Sequence, residues 1–90
     1  MAMVRIPAAL RDYTGGCAEL SVSADTVGRA LHSLSAEYPQ LRRHLYTERG
    51  ELRSYVNVFV NEDDVRSLNG LETTMRTDDT LLIVPSIAGG

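Results

Sequence analysis

The chain has 90 residues, one cysteine and a net charge of −3, with 43% hydrophobic and 23% charged residues. This is the size and make-up of one globular domain, which buries roughly 60–65% of its unfolded surface and has no room for a large enclosed active site. A lone cysteine excludes an internal disulfide framework, and the acidic balance argues against nucleic acid as a partner. With no signal-peptide run and no stretch near the ~20 apolar residues of a membrane span, a cytoplasmic protein without membrane contact is expected.

In chain order, Val4 and Ile6 face one way and Arg5 the other, which predicts a half-buried strand within residues 3–10 that loosens at Pro7. Thr14-Gly15-Gly16 is a turn signal, and Glu19–Ser23 alternates again, so the two strands form a hairpin. Asp25 and Thr26 are both suited to cap a helix. Val27, Ala30, Leu31, Leu34 and Tyr38 then trace one helical stripe. Gly28 weakens this helix unless another backbone must come close, and Pro39 should stop it. Residues 40–46 read as one short extra turn of helix, and 47–51 as a loop.

Tyr55–Asn61 is the strongest strand, β-branched and aromatic with period 2. Asn61–Asp64 reads as a turn, Val65-Arg66 as a short strand after it, and Asn69-Gly70 as another turn. Thr80–Val84 is apolar on both faces, which predicts a central strand covered on at least part of each face and ended by Pro85. One amphipathic helix on one mixed sheet makes a two-layer α+β domain.

The segment after that strand, Pro85-Ser86-Ile87-Ala88-Gly89-Gly90, carries no charged side chain. Residues 1–84 are expected to form the domain and 85–90 a flexible tail. Glycine has no Cβ, so a Gly-Gly end fits a narrow channel in extended form. Its α-carboxylate, with a pKa of about 3.5, is ionised at neutral pH and needs activation before it can react. Nothing on glycine shields the carbonyl from a nucleophile once it is activated.

Other candidates have plainer readings. Cys17 is a lone thiol, more often a small apolar residue than a redox or relay group. His32 and His44 lack the companions of a metal site, and Glu62-Asp63-Asp64 lacks the spacing of a calcium loop, so no metal is expected. Arg42, Arg43, Arg49 and Arg53 make a basic segment that is either a solvated loop or a dock for an acidic surface. All nine basic residues are arginine, so the chain cannot accept a lysine isopeptide bond or form a lysine Schiff base. No nucleophile–base pair or phosphate-binding loop is present to support an independent enzyme.

Three stretches resemble the ubiquitin-like β-grasp sulfur carriers, the ThiS/MoaD type, over essentially the whole chain. They are Asp25–Leu31 with Tyr38-Pro39, Val56–Arg66, and Asp78–Gly90. The middle stretch, with Gly70-Leu71 after it, looks most like carriers used in cysteine or thio-metabolite synthesis. The resemblance implies a β-grasp fold and a protein cosubstrate, not an enzyme. It implies that an E1-like adenylyltransferase/sulfurtransferase spends ATP to adenylate Gly90, and that sulfur then makes it a thiocarboxylate. A synthase accepts that sulfur, and the carrier itself binds no cofactor. With Gly90 last, no proteolytic trimming is implied. Val84, Pro85, Ser86, Ile87, Ala88 and Gly89 are the expected partner-binding tail, Ile87 foremost. The alternatives are a ubiquitin-like modifier joined through Gly90 to target lysines, a carrier for molybdopterin or thiamine synthesis, and an interaction domain whose tail is not activated.

Overall fold

The computed structural model describes residues 1–85. Five strands form one mixed sheet in the order β2-β1-β5-β3-β4. β1 (Ala2–Arg5) pairs antiparallel with β2 (Glu19–Val22) and parallel with β5 (Thr80–Pro85). β5 also pairs antiparallel with β3 (Val56–Val60), which carries the two-residue edge strand β4 (Asp63–Asp64). The most apolar strand is therefore central, as its composition predicts. Helices α1 (Val27–Glu37) and α2 (Pro39–Leu45) complete a β-grasp domain.

The core is built by one face of the sheet and the α1 stripe. Val4, Val58, Val60, Leu81 and Ile83 are buried with Val27, Ala30, Leu31 and Leu34, and Leu41 and Leu45 of α2 extend the cluster. Thr26 is the N-cap of α1, its side-chain oxygen accepting the Arg29 N–H at 3.2 Å. α1 ends at Glu37, and Pro39 opens α2 at a position where its missing N–H costs nothing. The expected short turn over 40–46 is this second helix.

The α1 N-terminus is tied to the chain that precedes β5. Val27 N–H donates to Thr73 O at 3.0 Å, and Met75 N–H to Asp25 O at 2.9 Å. Gly28 lies in this seam. A Cβ built there would stand 3.0 Å from the backbone oxygen of Leu71 and 3.3 Å from its Cβ. The glycine permits the close backbone approach that its place in a helix implied. Gly28→Leu is expected to lower stability by about 1–3 kcal/mol through overpacking, which chemical denaturation would measure. Unchanged stability would show that the seam yields freely.

Three details differ from the sequence reading. A 3-10 helix, Ala8–Thr14, fills the β1–β2 connection. It buries Leu10 and Thr14, whose hydroxyl donates to Cys17 O at 2.9 Å. The short strand expected at Val65-Arg66 is instead Asp63–Asp64, and Val65–Ser67 is a 3-10 turn. The reason is local. Asn61, at φ 58°, reverses the chain at once, and the Asp64 carboxylate caps the next turn by accepting the Arg66 N–H at 2.9 Å. Lastly, Pro85 is the end residue of β5, opposite Val56. Asn61 N–H donates to Thr80 O at 2.7 Å. That fixes Phe59–Leu82 and Asn57–Val84 as the hydrogen-bonded pairs, so the ladder asks no N–H of Pro85.

Candidate functional site: the open sheet face

Burial alternates strictly along β3 and β1, and nearly so along β5. Only one face of the sheet is covered by the described chain. The two-sided apolar character of β5 therefore does not mean that both its faces are covered. Leu82 is half-buried and Val84 is 37% exposed, and both point to the open face. Register sets their neighbours. Leu82 lies between Arg5 of β1 and Phe59 of β3, with Glu19 beyond Arg5 and Asp64 beyond Phe59. Val84 lies beside Asn57, and Met3 beside Thr80. The result is an apolar centre of Leu82, Phe59 and Val84 with charged residues at its sides. Apolar cores with polar rims containing arginine are typical of protein-docking surfaces.

One rim cation is fixed in place. Arg66 Nε and one Nη donate to the two Asp64 carboxylate oxygens at 3.2 and 2.9 Å, a bidentate pair. The same Nη donates to Asn57 Oδ1, next to Val84. The side-chain hydrogen bond from Arg66 holds the Asp64 carboxyl below its ordinary pKa, helped next by the Arg66 backbone N–H; burial opposes them, and the Arg66 charge adds the smallest lowering effect. Asp79 is lowered too, first by the Arg76 backbone N–H at 2.8 Å and then by the Asn61 amide at 3.1 Å.

Both carboxylates are depressed in the folded state, so their contribution is complete above the unfolded value of about 4 and is lost as pH falls through the lower folded value. Asp79→Asn is therefore expected to flatten the acid side of the stability–pH curve relative to the wild type. Denaturant midpoints at pH 7 and pH 3 would check this, and an equal drop in both proteins would contradict it.

Of the expected site residues, the structure places Val84 on the open face and Pro85 half-buried beside Val56. Ser86, Ile87, Ala88, Gly89 and Gly90 lie outside the described residues. Sequence reasoning did not single out Leu82, Phe59, Asn57 or Arg66. The usable signal was the apolar outward positions of β5, which imply a surface that something else covers. Cys17 is exposed and free, His32 is exposed on α1, and His44 stacks on Tyr13 with ring centroids 4.2 Å apart.

Comparison with known proteins fits this fold. The family model described as the ThiS family matches residues 4–90. The chain belongs to the ThiS family. This ThiS-family chain is 39% identical over 89 residues to the sulfur carrier protein CysO of Mycobacterium tuberculosis, covering 97% of this chain and 96% of that one. Its fold superposes on a chain of the Amycolatopsis orientalis BexX/CysO complex with a TM-score of 0.89 and 34% identity, each chain fully covered. It is also 42% identical over 65 residues to small archaeal modifier protein 3 of Haloferax volcanii, covering 72% of this chain and 70% of that one.

Proposed function

We propose that this protein is a sulfur carrier that acts as a protein cosubstrate, with the Gly90 carboxyl as its working group. The observation that carries this reading is the match to a named sulfur carrier at 39% identity over nearly the whole of both chains. An E1-like enzyme supplies ATP, and the Gly90 carboxylate attacks its α-phosphorus, releasing pyrophosphate and forming an acyl-adenylate. A sulfur nucleophile then displaces AMP, leaving a thiocarboxylate. Its sulfur attacks the activated acceptor held by a partner synthase, and hydrolysis of the resulting thioester restores the carboxylate. The acceptor we favour leads to cysteine or a related thio-metabolite.

The chain's own contribution is recognition and reach. The apolar centre of Leu82, Phe59 and Val84 docks the partner, and Pro85 through Gly89 carry Gly90 into its channel. A fixed domain presenting the docking face limits the ordering cost of association. The test is ATP–pyrophosphate exchange with the cognate E1-like enzyme. Exchange that depends on the carrier and saturates with it is expected, and exchange indifferent to the carrier would contradict adenylation. The likeness to an archaeal modifier supports a second reading, attachment of Gly90 to lysines of other proteins, which uses the same activation. Stable conjugates that persist under reducing denaturing conditions would favour it.

A further inference from the structure

A second chemically distinct feature lies on the helical side. α1, α2 and the turn after α2 enclose a cleft of about 410 Å³. Pro39, Arg42 and Tyr46 also line an adjoining cleft of about 620 Å³, which adds Arg43, Arg53 and Glu48. Gly28, Ser35 and Ala36 of α1 line the first cleft, with His32 and Arg42 among its remaining residues. Its volume is within the range of small-molecule sites.

Two observations point to a ligand. The first is Ser35, which is only 4% exposed, yet whose Oγ has no hydrogen-bond partner among the described residues. A buried hydroxyl without a partner is uncommon and costly, and this one belongs to a residue that lines the cleft. The second is charge. The chain carries −3 overall, but Arg42, Arg43 and Arg53 converge on these two clefts against the single carboxylate of Glu48. Arg53 is held there, its Nε donating to Arg43 O at 2.9 Å. Tyr46 is half-buried; burial raises its hydroxyl pKa and the nearby Arg42 charge pulls it back, so it remains a protonated donor beside Arg42.

We infer that this paired cleft binds a small phosphorylated molecule, with its phosphate on Arg42 and Tyr46, which line both clefts, and with Arg43 and Arg53 adding charge. A carboxylate would leave much of this donor set unused, whereas three arginines suit a dianion. This site is independent of the sulfur-carrier reading, because it uses none of the open-face or tail residues.

Inorganic phosphate is the probe, titrated at constant ionic strength while the backbone amides of the full chain are followed by NMR, with acetate as the carboxylate comparison. Saturable shifts confined to residues 28–53 are expected with phosphate and not with acetate. Arg42→Gln, an exposed change that leaves the core intact, should weaken binding about tenfold, the loss of a charged bidentate contact. Equal shifts with acetate, shifts that rise linearly without saturation, or an unchanged response in Arg42→Gln would overturn the site.

Discussion

Deleting Gly90 is expected to reduce thiocarboxylate formation by about a hundredfold or more, with no change in folding. The shortened chain still ends in a glycine carboxylate, so the chemistry of the group is preserved. What changes is position. One extended residue spans about 3.5 Å, and a misplacement of even about 1 Å at a reacting centre can cost about a hundredfold. Removing Gly89 as well doubles the displacement and should abolish the reaction. The core lies within residues 2–83, so denaturant midpoints should stay within about 0.5 kcal/mol of the parent. The rate of thiocarboxylate formation, followed by intact mass at equal carrier concentration, measures the loss. If deletion of both glycines left function intact, the protein would be an interaction domain whose tail is not activated.

Val84→Glu and Leu82→Glu should raise the carrier's KM for the activating enzyme about thirtyfold each, with little change in turnover at saturation. Val84 is 37% exposed and Leu82 is half-buried, and both lie on the open face. A charge at the centre of a desolvated interface costs about 2 kcal/mol or more, which is about thirtyfold in affinity. On the free domain a Val84 substitution meets water and should cost about 0.5 kcal/mol or less. Leu82 is partly shielded by Phe59 and Arg5, so its variant should lose somewhat more stability. Ser33→Glu, an exposed change on α1, is the control and should leave KM unchanged. A KM insensitive to both open-face changes would move the docking surface elsewhere.

Sequence made some elements legible because local rules and tertiary packing agree in them. α1 is one. Its cap Thr26, its stripe from Val27 to Leu34 and its stop before Pro39 each act locally, and the core buries the same stripe. Gly28 was readable as a close-approach position, but Leu71 as its neighbour depends on a contact more than forty residues away. β5 was readable as central from its composition. Its open face was not, because a strand apolar on both sides looks the same whether its second face is covered by its own helices or by another protein.

The misplaced short strand has a different origin. Val65-Arg66 has better strand propensity than Asp63-Asp64, but the left-handed Asn61 starts the return earlier and Asp64 then spends its carboxylate on capping. The clamp of Arg66 on Asp64 and Asn57 follows from that same turn, so it was hidden along with it. The 3-10 helix over Ala8–Thr14 gave no periodic signal, since only Leu10 and Thr14 are buried in it.

The central claim is that Gly90 becomes a thiocarboxylate, and intact mass tests it most directly. The chain is incubated with ATP, a sulfur donor and the cognate E1-like enzyme, then weighed whole and after proteolysis. The account predicts a gain equal to the replacement of one oxygen by sulfur, located on the C-terminal peptide and absent when ATP is omitted. An unchanged mass, with an E1-like enzyme shown to be active on another carrier, would contradict it.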